Sequence, residues 1–142
     1  MRNTIQVYGK KKNSTAIALV KGPGKGIIKV NGIPIDLLQP ETLKIKVFEP
    51  FFILRSDTFT DIDIRIKVKG GGHVSQLYAI RQAIARGIIR YAEKYVGEET
   101  KIKFKNLLLN YDRSLLVKDS RNVEPKKYGG KGARARYQKS YR

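Results

Sequence analysis

Cysteine is absent from the 142 residues. Disulfides, thiolate nucleophiles and cysteine-ligated zinc are excluded together, and the composition suits a reducing compartment. A single histidine, His73, rules out histidine-rich metal sites and a Cys–His pair. Acidic residues are scarce: 12 Asp and Glu stand against 30 Lys and Arg, a formal net charge of +18. The pI is near 10.2. A free globular chain with this excess repels itself, so a polyanionic partner, most economically a nucleic acid, is expected. No run of about eighteen apolar residues is present, which excludes a membrane-spanning helix. The amino-terminal Met1-Arg2-Asn3-Thr4-Ile5-Gln6 has no apolar leader region and is short for an organellar presequence. Neither end carries a lipidation motif. An anionic lipid surface is the rival partner for the basic residues. The expectation is a chain with no metal, no cofactor, no membrane and no self-association.

What is present is most concentrated at the carboxyl end. Residues 126–142 carry Lys126, Lys127, Lys131, Arg134, Arg136, Lys139 and Arg142, with no acid and no Val, Ile, Leu or Phe. Such a stretch cannot offset its own ordering entropy by burial. It is either a solvated tail or an arm that orders against a polyanion. Arginine forks match phosphates, and tyrosines can stack on bases. The expected organisation is one globular domain over 1–125 and an extended basic tail over 126–142.

Within the body, Ile5 and Val7 alternate with polar residues, and Ser14 to Val20 resumes the pattern after Gly9 to Asn13. This reads as two strands joined by a basic turn, or one long strand bulged at Gly9. Gly22 to Gly26 is a turn, Ile27 to Val30 a strand, and Asn31-Gly32 a hairpin signal. Pro34 marks the next piece as an edge. Pro40-Glu41 suits a helix start, and Pro50 is expected to stop or restart that helix. Residues 61–69 alternate strictly, Ile62, Ile64, Ile66 and Val68 against charged neighbours, as for a sheet covered on one side. The 3.6-residue period of Leu77, Ile80, Ile84 and Ile88 predicts a long helix over about 74–96, with Gly97 as its carboxyl cap. A shorter helix is expected over 100–110.

The turn Gly70-Gly71-Gly72-His73 follows a strand and opens a helix, where outward-facing amides can hold phosphate. It lacks the Lys-Ser/Thr of a nucleotide loop and the dinucleotide fingerprint. It reads as a contact for nucleic-acid backbone or as a tight turn and nothing more. Lys10, Lys11 and Lys12 form a basic cluster at a turn. Arg86, Arg90 and Lys94 make an i, i+4, i+8 row that resembles a comb for phosphates. The same excess recurs at Arg81, Arg113 and Arg121. Asp61 and Asp63 invite a metal reading, but charge pairing with Arg65, Lys67 and Lys69 is favoured. His73 has no partner for general-base work. No enzyme constellation is visible.

Several stretches are familiar in order. Val7-Tyr8-Gly9-Lys10-Lys11-Lys12-Asn13-Ser14-Thr15-Ala16 resembles the opening motif of the small-subunit ribosomal protein nine family, called protein sixteen in eukaryotic cytosolic ribosomes. Gly26 to Gly32 resembles its second motif, and Val68 to Arg86 its most specific stretch. Tyr111-Asp112-Arg113, Asp119-Ser120-Arg121 and Gly132 to Arg142 resemble its end. The resemblance spans essentially the whole chain. It implies an α/β sandwich like the second domain of small-subunit ribosomal protein five, with a left-handed βαβ crossover that the usual handedness rule would miss. It implies small-subunit ribosomal RNA of the head, and neighbouring head proteins, as partners. It also implies a tail that threads RNA until Arg142, with Tyr141, Ser140 and Lys139 behind it, approaches the peptidyl-site tRNA. Ribosomal-RNA contacts are expected at Lys10, Lys11, Lys12, Gly71, Gly72, His73, Arg81, Arg86, Arg90, Arg113, Arg121, Lys126, Lys127, Lys131, Arg134 and Arg136. The Lys-Ser-Tyr-Arg ending resembles archaeal and eukaryotic members, and Asp112 to Val117 with the Gly-His-Val helix entry resemble eukaryotic cytosolic ones. That implies the cytoplasm, with nucleolar passage during assembly. Lys131 departs from the proline of many such members. The rivals are a nucleic-acid enzyme or its protein cofactor on a similar fold, and a non-ribosomal binding module.

Overall fold

Alternation of branched and polar side chains lays down the sheet. The computed structural model describes residues 3–55 and 60–142; Met1 and Arg2, part of the amino-terminal reading, lie outside them. Strands β1 (Asn3–Lys11) and β2 (Ser14–Gly22) form an antiparallel hairpin. β3 (Ile28–Val30) and β4 (Ile33–Pro34) form a second one across Asn31-Gly32. β5 (Asp63–Lys69) pairs antiparallel with β2 and parallel with β3, giving the order β1-β2-β5-β3-β4. Of the two readings left open for the first strand, the two-strand one holds, with unbroken register through Gly9↔Ala16. Gly9 serves close approach: a Cβ there would sit 2.3 Å from the carbonyl oxygen of Ala79.

Three helices complete the fold: α1 (Glu41–Leu54), α2 (His73–Tyr91) and α3 (Glu98–Tyr111). One sheet face turns Ala16, Ala18, Val20, Ile64, Ile66 and Val68 inward against α2, whose Leu77, Ile80, Ile84 and Ile88 are buried. Arg65, Lys67 and Lys69 alternate with these and are exposed. The sheet is covered on one side, as the alternation predicts.

One helix expectation needs correction. Pro50 neither stops nor restarts α1, which runs through it to Leu54. A proline in a helix interior costs about 3 kcal/mol, and burial of Val47, Pro50 and Leu54 on one face offsets it. The long helix ends at Tyr91 and continues as a π turn over Ala92–Val96, closed by the Gly97 amide on the Ala92 carbonyl. The two other boundaries shift outward or inward by a residue or two: α3 spans Glu98–Tyr111, and β5 begins at Asp63.

Candidate nucleic-acid interface

Sheet register gathers three turns at one end of the molecule. β2 begins, and β3 and β5 finish, at that end, so the β1–β2 tip, the Asn31-Gly32 hairpin and the Gly70–Gly72 turn are neighbours. Ser14 ties the first to the third: its hydroxyl donates to the Gly70 carbonyl at 2.8 Å. Gln76 Nε2 donates to the same oxygen at 3.1 Å. Asn31 ties the second to β5, accepting from the Val68 amide at 3.0 Å.

The glycines of the third turn are there for backbone reasons. Gly70 and Gly71 have φ of +78° and +65°, where a side chain is strained. A Cβ on Gly71 would lie 2.1 Å from Ser14 Oγ. Gly72 caps α2, and no side chain caps the helix or places an acid in its first turn. The positive end of a 19-residue helix therefore faces solvent, with His73, Lys12 and Lys69 exposed around it. His73 joins no metal cluster: no group of His, Asp and Glu among the described residues could hold an ion. No helix among them is long and apolar enough to cross a membrane.

The expected cations divide into two sets. Lys10 turns its side chain to the open side of the sheet, and Lys12 sits at the tip with φ +50°. Lys12, Arg113, Lys126, Lys131, Lys139 and Arg142 are exposed and make no side-chain ion pair among the described residues. Other cations are committed within the fold. Arg81, expected at RNA, is only 3% exposed. Its guanidinium meets Glu49 at 2.5 Å, Asp112 at 3.0 Å and the Ser114 hydroxyl at 3.3 Å. That corrects its expected place: Arg81 is buried and joins α1, α2 and the chain after α3. Burial works to raise the Asp112 pKa, but the Ser114 hydroxyl and amide and Arg81 outweigh it and hold the carboxyl below its usual range.

The comb of Arg86, Arg90 and Lys94 is also broken up. Arg86 donates from Nε to the Leu116 carbonyl and from a terminal nitrogen to the Tyr8 carbonyl, both at 2.9 Å. Arg90 pairs with Glu93 at 2.8 Å but remains exposed. Lys94 lies 5.3 Å over the Tyr95 ring. Lys11 points inward by register and pairs with Asp119. Arg121 clasps the same carboxylate at 2.8 Å, although its own side chain is exposed. Arg121 and Lys11 together push the Asp119 pKa far below the carboxylate range. This cluster anchors the chain where it leaves the body. Asp63 pairs with neither Lys67 nor Lys69; it accepts from the amides of Lys25 at 2.8 Å and Ile27 at 3.0 Å, which lowers its pKa and shapes the loop after β2.

Beyond Leu116 the chain forms no helix or strand, yet it is not featureless. The Tyr137 amide donates to the Gly129 carbonyl at 3.0 Å and closes a loop. Gly130 lies inside it, and a Cβ there would fall 1.7 Å from the Ala135 carbonyl oxygen. Glu124 holds the loop from its base, reaching Lys127 at 2.6 Å and Arg134 at 3.1 Å. These partners lower its pKa, Lys127 first. Sequence reasoning missed Glu124. Its one signal is position, as an isolated acid just ahead of a run of cations.

A basic α/β protein with one helical layer, an open cationic end and no catalytic cluster among its described residues is the class these features define. Residues 9–142 match the family described as Ribosomal protein S9/S16. The chain is 61% identical over 139 residues to small ribosomal subunit protein uS9 of Maudiozyma exigua, covering 98% of this chain and 96% of that one. It is 59% identical, with the same coverage, to protein uS9A of Saccharomyces cerevisiae. It is 60% identical to protein uS9 of Candida albicans, covering 98% and 97%. The chain belongs to the ribosomal protein S9/S16 family, a family of ribosomal structural proteins and not a class of enzymes.

Proposed function

We propose that the chain is a structural constituent of the cytosolic small ribosomal subunit. It lies in the head, binds ribosomal RNA and neighbouring proteins there, and passes through the nucleolus during assembly. The observation that carries the RNA reading is the segregation of its cations. Those on α2 are largely spent on carboxylates and carbonyls, while exposed ones lie at the hairpin tip and α2 entry, along the open sheet face and in the carboxyl-terminal segment. Lys10, Lys12, Gly71, Gly72 and His73 form one contact, with backbone amides and ammonium groups facing the same phosphates. Arg113 and Arg121 continue it along the exit of the chain. Lys126, Lys127, Lys131, Arg134 and Arg136 extend it onto the closed loop. Lys139, Ser140, Tyr141 and Arg142 reach the peptidyl-site tRNA, where the Arg142 guanidinium makes charge-assisted contacts with phosphate. The crossover from β3 to β5 through α1 is left-handed in this reading.

Sedimentation of a lysate at moderate salt tests the assignment. Stoichiometric recovery with small subunits and polysomes is expected, and recovery only in light fractions would overturn it. Removing residues 139–142 tests the tRNA contact. Subunits are expected to assemble yet hold peptidyl-site tRNA less tightly, and unchanged affinity and fidelity would sink that part.

A further inference from the structure

Edge strand β1 borders a groove of about 570 Å³. Val7, Ile89 and Leu116 line its apolar part, and Arg90, Lys101 and Lys105 its cationic part. A smaller depression carries it past Thr4 and Lys94. The outer edge of β1 is only half covered. Tyr8 presents its carbonyl outward to Arg86, and Lys10 presents its amide outward to Gln82 at 2.9 Å. Residues of this parity therefore aim their backbone groups away from β2. Gln6 shares the parity, and among the described residues nothing takes its outward amide or carbonyl. The Tyr8 amide is likewise open. An edge with donors and acceptors in alternation is a template for another strand.

We propose that this groove takes an extended, acidic segment of a neighbouring protein, which adds to β1 as a sixth strand. The inference deepens the expectation of protein neighbours in the subunit and rests on that reading. Two features select the occupant. The unpaired edge offers a donor and an acceptor at Gln6; phosphate can only accept, whereas a peptide strand does both. The flanking charge is positive: Glu93 and Glu98 offset part of it through Lys101 and Arg90, while Lys105 is exposed and has no ion pair among the described residues. Acidic side chains of the added strand would meet Lys105 and Lys94, with apolar ones on Val7, Ile89 and Leu116.

A benzophenone side chain encoded at position 105 and irradiated in purified small subunits tests this. The expected product is an adduct with a protein of the subunit, mapped to an acidic, extended peptide. Its yield should fall about tenfold with Gln6→Pro, which removes one strand-to-strand donor and introduces misfit. That substitution leaves the β1–β2 ladder intact, because the Gln6 amide faces away from β2. An adduct with RNA, with a basic peptide or with a second copy of this chain would overturn the proposal. So would no adduct, or a yield indifferent to Gln6→Pro. Recovery of the labelled chain in subunits is measured first. Its absence overturns the ribosomal assignment together with this inference, whereas presence without the adduct overturns this inference alone.

Discussion

Arg81, Arg86 and Lys101 on the helices and Lys12, Lys126, Lys131 and Lys139 at the hairpin tip and in the carboxyl-terminal segment are chemically alike and differently employed. Arg81, Arg86 and Lys101 each reach a carboxylate or carbonyl of the same chain. Lys12, Lys126, Lys131 and Lys139 are exposed and reach none among the described residues. Net charge foretells a polyanionic partner, but the fold decides which side chains are available to it. Availability follows from whether an acceptor lies nearby once distant segments have met.

The sharpest way to break the comparison is Arg81→Ala. Removing one member of a buried ion pair costs about 3–5 kcal/mol. The lower end is expected because Lys46 also reaches Glu49, at 2.6 Å. A lower urea midpoint with RNA affinity intact in the folded fraction would uphold the division. An unchanged midpoint with weakened RNA binding would place Arg81 outside.

Gly71→Ala comes next, at about 1–3 kcal/mol for a strained left-handed residue with its Cβ against Ser14 Oγ. Adding Ser14→Ala should recover part of the loss in thermal melts. Gly72→Ala, with nothing within 4 Å of its Cβ, should cost little and serves as the internal control.

Lys12→Gln and Lys11→Gln sharpen the contrast within a single turn. Replacing Lys12 should shallow the dependence of log affinity on log salt by about 0.7–0.9 for each phosphate no longer neutralised. Replacing Lys11 should leave the slope alone and loosen the segment at Asp119, seen as faster exchange of the Arg121 amide. Equal slopes for both variants would erase the distinction.

The mildest effects concern acid. Asp112 and Asp119 have folded pKa values below their unfolded ones. Their stabilisation is therefore complete above the unfolded value of about 3.9 and is lost as pH falls from there through the folded values. Asp112→Asn should flatten the decline of stability below about pH 4. Glu124→Gln should speed exchange of the Tyr137 amide and leave the melting temperature of the body unchanged.

Much of the fold was legible because it is local. Strict alternation marked β5, the 3.6-residue period marked the buried face of α2, and Asn31-Gly32 marked its hairpin. Pro50 misled because the burial that rescues it comes from other helices. Arg81 misled for a related reason: Asp112 and Ser114 stand 31 and 33 residues away in sequence, and Glu49 lies on another helix. The row of Arg86, Arg90 and Lys94 is correct as helical spacing, but spacing does not reveal that the Tyr8 and Leu116 carbonyls lie beside Arg86. Glu124 escaped because an acid beside cations looks solvated until the loop it holds is seen.

The closed loop between Gly129 and Tyr137 acts on tether length. Stretched out, residues 126–142 would reach about 55–60 Å. The hydrogen bond joining Gly129 to Tyr137 brings those two positions together, so only the residues on either side, roughly half of the stretch, contribute to its span. The local concentration of a tethered group falls with about the three-halves power of tether length, provided the tether still reaches. Halving the working length therefore raises the concentration of Arg142 at any site within range by about threefold, while every interaction at that site stays the same.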